Sequence, residues 1–175
     1  YRFVETTFHH AVMPACATGQ FCPSALVTRD VMAMHVMKSR EPHYLPPACV
    51  AGQEMFNDVP AANPYCRWIQ ELASRGVVAG CGGGAYCPGN GVSREQLAVY
   101  LLRTADPALV PPPCGAPLFN DVPAASPFCR WVEELARRGV VTGCGGGAYC
   151  PLSIVSREQM SVFLSVTFGL TLYGP

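Results

Sequence analysis

The chain has 175 residues, twelve basic and twelve acidic, so its formal net charge is zero, and only 14% of its residues are charged. Without a basic stripe it has nothing to meet phosphates with, which sets nucleic acid aside, and no run approaches the roughly 18 apolar residues of a membrane span. A neutral, weakly charged surface also does little to hold copies of the chain apart.

Taken in order, residues 1–15 stand outside any repeat. Tyr1-Arg2-Phe3-Val4-Glu5-Thr6-Thr7-Phe8 is rich in aromatic and β-branched residues and predicts a strand. The chain opens at Tyr1 with neither a methionine nor a leader, and reads as processed or trimmed. His9-His10 is too small a cluster to assign a metal site. From Cys16 a half-unit begins: Cys16, Phe21-Cys22-Pro23, Val27-Thr28-Arg29, then a helix through Lys38. The first half of that unit, helix included, has no counterpart before it, so the expectation is two and a half units, with 16–55 as the partial one.

The complete units follow. Phe56 to Thr104 and Phe119 to Thr167 are the same 49-residue stretch, 63 residues apart and identical at 35 positions, and a period of this length marks stacked supersecondary units. Each begins Phe-Asn-Asp-Val-Pro. Asn63-Pro64 and Ser126-Pro127 predict helix starts, Tyr65, Trp68, Ile69 and Leu72 fall on one face, and Gly76 and Gly139 predict the stops. A second helix opens with a capping box, Ser93-x-x-Gln96 or Ser156-x-x-Gln159, and is apolar nearly all round, as a core helix must be. In the half-unit His35 stands where Tyr100 and Phe163 stand, and reads as a buried, hydrogen-bonded histidine. Pro-rich linkers close 16–55 and 56–118. After the unit at 119–167, the tail 168–175 alternates enough to predict a final strand. Each unit is thus two helices around Gly-rich loops, with short strands at the chain ends: a mainly α fold around a central helical bundle.

Ten cysteines, an even number, favour an oxidising compartment. Local pairing uses them all: Cys16–Cys22, Cys81–Cys87 and Cys144–Cys150 across C-x5-C loops, and Cys49–Cys66 and Cys114–Cys129 from linker to helix. Zinc is the rival, but C-x5-C is not its usual spacing. The Gly82-Gly83-Gly84 loop has no lysine and is no phosphate loop. No nucleophile–base or paired-carboxylate pattern is present, so no enzyme and no cofactor are expected. Asp58 and Asp121 read as turn caps, and Trp68 and Trp131 as core.

Phe-x-Asp-Val, a helix ending Arg-Gly-Val-Val-x-Gly, a Gly-rich turn with Tyr-Cys-Pro, and Val-Ser-Arg before a helix together resemble the S-layer homology domain, in a cysteine-bearing variety. The resemblance covers 16–45, 56–104 and 119–168. It implies a threefold prism whose inter-unit grooves hold secondary cell-wall polysaccharide, gripped partly by arginines that here are Arg29, Arg94 and Arg157. The family motif's glutamate is Val31, Gln96 or Gln159 in this chain.

Two functions follow as expectations. The first is an extracellular structural protein of the bacterial cell surface whose copies associate into a layer, tube or filament. Tyr1, Phe3, Val4 and Phe8, with Phe168, Leu170, Leu172 and Tyr173, would pair as terminal strands between copies. The alternative is a module that anchors to wall polysaccharide.

Overall fold

The computed structural model describes residues 1–174. Among the described residues six helices are formed: α1 (Arg2–His9), α2 (Arg29–Arg40), α3 (Cys66–Ser74), α4 (Arg94–Ala105), α5 (Cys129–Arg137) and α6 (Arg157–Thr167). They hold only 35% of the residues, and another 7% sit in β-bridges. The mainly α bundle expected from the apolar helices is therefore corrected to a loop-rich fold in which turns and extended segments make up most of the chain. The expected terminal strands are absent among the described residues, where every β-bridge is isolated.

The N-terminal segment is helical for reasons its β-branched residues conceal. Thr6 Oγ1 donates to Arg2 O at 2.8 Å and Thr7 Oγ1 to Phe3 O at 3.2 Å, so both hydroxyls are absorbed by the preceding turn. Thr7 is fully buried and its hydroxyl also lies 3.1 Å from Ser161 Oγ on α6. In α3 and α5 the equivalent residues are Leu72 and Leu135, so a polar pair does here what a leucine does elsewhere. Ala11 (φ 54°) takes the left-handed place of Gly76 (φ 69°) and Gly139 (φ 70°). Val12 and Met13 then donate to Thr7 O, as Val77 and Val78 donate to Leu72 O. Residues 1–13 thus supply the helix that the first unit was expected to lack. The tail 168–174 lies against this helix: Tyr173 N–H donates to Thr6 Oγ1 at 2.9 Å, and His9 stacks on the Tyr173 ring with centroids 3.6 Å apart.

At the centre α2, α4 and α6 pack on one another, and each is covered by the first helix of the next unit: α2 by α3, α4 by α5, α6 by α1. Met32, Val36, Leu97, Leu101, Met160 and Leu164 fill the middle and are inaccessible to solvent. The capping boxes at Ser93 and Ser156 are formed in full. Helices α3 and α5 begin later than expected, because Asn63 Oδ1 accepts from Tyr65 N–H in a preceding turn and Ser126 Oγ accepts from Phe128 N–H.

Burying a carboxylate at Leu164 leaves it without a partner, at a cost of about 3–5 kcal/mol; Leu164→Asp is expected to abolish the cooperative thermal transition. His35 gives a pH prediction. Burial, then the charges of Arg157 and Lys38, lower its imidazole from 6.5 to about 3, and its Nδ1 finds no hydrogen-bond partner, unlike the bonded histidine expected. The unfolded chain binds a proton here that the folded chain refuses, so stability falls as pH drops from about 6.5 towards 3, by at most about 1.4 kcal/mol per unit. His35→Phe, the residue found at the equivalent Phe163, should flatten that acid limb in urea titrations run across the pH range.

Candidate functional site

The three units meet at the starts of their central helices. Val27 N–H donates to Val155 O at 2.9 Å, Val155 N–H to Val92 O at 3.0 Å and Val92 N–H to Val27 O at 3.0 Å, a closed ring of three buried residues. The first two helical amides of each unit's central helix are taken up by loop carbonyls of its neighbour. Arg29 and Asp30 donate to Asn90 O and Pro88 O, Arg94 and Glu95 to Ser153 O and Pro151 O, and Arg157 and Glu158 to Ala25 O and Pro23 O. Carbonyls therefore occupy helix starts that could otherwise receive an anion.

Arg29, Arg94 and Arg157 sit at these junctions and are almost wholly buried. Each guanidinium lies over the loop aromatic of the adjoining unit: Arg29 over Tyr86 at 4.5 Å, Arg94 over Tyr149 at 4.7 Å, Arg157 over Phe21 at 4.6 Å. Each Nε donates to that aromatic residue's own carbonyl, at 3.0, 2.8 and 2.8 Å. In return the Tyr86 and Tyr149 hydroxyls donate to Arg29 O and Arg94 O at 2.9 and 3.0 Å. Burial pushes both phenols well above their usual range. Phe21 has no hydroxyl, so the junction that closes the ring lacks this bond.

The remaining guanidinium nitrogens separate the three arginines. Arg29 donates also to Ala79 O and to the Tyr100 hydroxyl, and Arg157 also to Pro14 O. Arg94 has the aromatic Phe163 where Arg29 has Tyr100, with its guanidinium 5.4 Å from the ring. Its two terminal nitrogens have no acceptor among the described residues. They lie at a groove of about 220 Å³ lined also by Thr142, Gln159, Val162 and Phe163. The corresponding groove at Arg29 measures about 430 Å³ and is walled by Gln96, Arg103 and Trp131. Trp131 is only partly buried, under the Arg103 guanidinium at 5.1 Å, whereas Trp68 is core.

All ten cysteines are paired, as Cys16–Cys22, Cys49–Cys66, Cys81–Cys87, Cys114–Cys129 and Cys144–Cys150. The three C-x5-C loops are not hairpins standing alone. Asp58 reaches across 28 residues to accept from Tyr86 N–H and Cys87 N–H, both at 2.7 Å, and Asp121 does the same for Tyr149 and Cys150. These aspartates are long-range clamps rather than the local caps expected. At Gly80 and Gly143 a Cβ would stand 2.3 and 2.4 Å from Ala85 O and Ala148 O, so these two loop mouths take glycine, whereas the first loop has Ala15 at that place. Cys114, Cys129 and Glu133 converge closely enough to hold a metal, but both sulfurs are committed to one disulfide.

The residues expected to mediate assembly lie mostly within one molecule. Phe3 and Val4 are partly buried and Phe168 and Leu170 pack on the core; Tyr173 is held by His9 and Thr6, and Leu172 is half-exposed. Only Tyr1 and Phe8 project substantially from the N-terminal helix. His10 Nε2 lies 3.0 Å from Thr171 O, joining the same two ends. Sequence reasoning missed the valine ring and the role of Tyr86, Tyr149 and Phe21. The signal available for the latter was the aromatic that precedes the second cysteine of every C-x5-C loop.

A family model described as the S-layer homology domain matches residues 56–98 and 118–161. No curated protein matches the chain. The phenol–carbonyl bond is separable from the rest of the junction: Tyr149→Phe should cost about 1–2 kcal/mol in urea denaturation and leave the disulfides intact in non-reducing peptide maps.

Proposed function

Since the chain carries two S-layer homology domains of a cysteine-bearing variety, a domain associated with the cell surface, we propose that it is an extracellular surface module that binds an acid-bearing wall polysaccharide in the groove at Arg94. The observation that carries this reading is the Arg94 guanidinium, whose two terminal nitrogens have no acceptor among the described residues while its Nε is fixed on Tyr149 O. A guanidinium so positioned offers a planar fork to a carboxylate, and its rotamer entropy is already spent. The Val162 and Phe163 side chains give a sugar ring an apolar wall, and Thr142 and Gln159 supply polar contacts at the rim. Arg29 and Arg157 act mainly in holding units together, since more of their donors are taken by the protein. The family is one of non-catalytic binding domains, and this reading requires no chemistry on the ligand.

Self-association into a layer, tube or filament is the second reading. Leu26 and Leu152 are 63% and 75% exposed near the valine ring, and a chain of zero net charge offers no repulsion between such surfaces.

The groove reading is tested by co-sedimentation with purified wall polysaccharide. Thr142→Glu places a like charge at the groove without touching the core and should weaken retention about tenfold or more, equal to ~1.4 kcal/mol. Arg94→Lys keeps a charge but loses the fork, and should weaken it in the same direction. Retention unchanged in both variants, with parental melting curves, would sink the groove reading. Ordered arrays of the protein alone in negative stain would favour the second.

A further inference from the structure

The ends of α3 and α4, the linker that follows α4 and the start of α5 border a cavity of about 280 Å³. Arg75, Arg103 and Arg130 all line it, together with Trp131, Leu109 and Val110. It shares only Arg103 and Trp131 with the groove at Arg29 and no residue with the groove at Arg94. The protein satisfies its three guanidiniums to very different degrees. Arg75 is neutralised, since Glu71 accepts from its Nε at 2.7 Å and Glu41 from both terminal nitrogens.

Arg103 sits in the last turn of α4, where the helix dipole favours a cation, and its Nη1 donates to Gly76 O at 3.1 Å. A lysine suffices for that bond in the first unit, where Lys38 Nζ lies 3.5 Å from Ala11 O, the equivalent carbonyl. In the third unit Val166 holds the place, so the fold does not demand a cation there. Arginine has donors to spare: Nε and the second terminal nitrogen of Arg103 have no acceptor among the described residues. Its guanidinium is held over the Trp131 ring at 5.1 Å. Arg130 is harder to explain from the fold. It is the second residue of α5, at the positive end of that helix's dipole, where a cation is disfavoured. No acidic residue stands in the first turn of α5. Glu134, one turn on, is taken by Arg137 and Arg138, and Glu133 accepts from Leu118 N–H. Asp106, beside Pro107, has a carboxylate oxygen on Ala108 N–H. Arg130 itself has neither an acceptor nor an ion pair among the described residues.

We propose that this cavity binds a phosphomonoester of a small sugar, with the phosphoryl oxygens on Arg103 and Arg130. A phosphoryl group carries about two negative charges and three acceptor oxygens near neutral pH. It therefore matches two cations with spare donors, whereas a single carboxylate would leave one of them without a counter-charge. Each guanidinium can meet two oxygens at once through its planar fork. Arg75, already neutral, lends shape rather than charge. The positive end of α5 acts in the same direction as the two arginines. Leu109, Val110 and Trp131 give the carbon skeleton of the ester an apolar wall. The site lies apart from the Arg94 groove and does not rest on the polysaccharide reading.

The test is a calorimetric titration of the disulfide-bonded protein with glucose-6-phosphate at low salt. Saturable one-to-one binding is expected, with a dissociation constant on the order of 1 mM or tighter, weakening as salt is added. Glucose should not bind, and inorganic phosphate, lacking the ring, should bind about tenfold more weakly. Arg130→Gln and Arg103→Lys should each weaken binding of the ester about tenfold with an unchanged Tm. The lysine keeps the bond to Gly76 O and loses only the spare donors. Thr142→Glu, at the other groove, should leave ester binding as it is, so that this proposal and the polysaccharide reading fail separately. Absence of saturation at about 20 mM ester, equal binding of glucose, or full binding by either folded arginine variant would overturn the proposal. The methyl phosphodiester of glucose separates a free or chain-end phosphate from one inside a polymer. Binding as tight as that of the monoester would overturn the monoester assignment and give the cavity to a phosphodiester chain.

Discussion

Three backbone hydrogen bonds between Val27, Val92 and Val155 hold the centre of this molecule in register. Each bond is ordinary, of the kind worth about 1 kcal/mol net, but the ring they form leaves no freedom to slide. If one valine shifted along its neighbours, two of the three bonds would be lost inside a dry environment, and an unpaired buried amide or carbonyl costs more than a made bond returns. The ring therefore fixes where each central helix starts. The amides that follow it, the arginines two residues on, and the aromatic platforms beneath those arginines are all placed by that one constraint.

Around the ring, the chain holds itself with short-range staples and a few long reaches. Helices supply the interior, yet most residues lie in turns that no periodic pattern organises. Disulfides close the small loops, and Asp58 and Asp121 tie those loops to the turns that open their units. A carboxylate accepting two backbone amides is a charge-assisted contact, which lets a loop of glycines keep one shape although glycine has the most backbone entropy to lose. In the first unit the disulfide Cys16–Cys22 closes the corresponding loop.

How legible this was in the sequence depended on whether a feature repeated. Ser93-x-x-Gln96 and its copy are local devices, and both capping boxes form where their spacing predicts. The cysteine pairs bridge short separations, so composition and spacing carried them. The strand expected over the first residues failed because the helix there is stabilised by what it touches: Thr6 and Thr7 have strand-like side chains, but one hydroxyl is spent on Arg2 O and the other lies between Phe3 O and Ser161. No spacing within the segment encodes a partner 154 residues away. The mainly α expectation failed from counting only what is periodic, since apolar helices announce themselves and Gly- and Pro-rich loops do not. The candidate arginines were found by resemblance, but their burial over Tyr86, Tyr149 and Phe21 was not, because cation and platform belong to different units. Val27, Val92 and Val155 were invisible for a plainer reason. Their bonds are made by backbone, and any buried residue of similar size would look the same.

The closing junction differs from the other two in being made by the two ends of the chain. Arg2 reaches Gly174 O at 3.4 Å, so the first and last turns of the molecule lie side by side. A ring closed in this way has a seam, and the seam sets its mechanics. Tension drawn between the two ends would enter and leave at nearly the same point, bypassing the valine ring and the disulfides, and would peel the tail from α1 one contact at a time. Load applied between a central groove and either end would instead run through the interlocked arginines, where many bonds must break together. The same fold is thus weak to a pull that opens it like a zipper and strong to one that shears it.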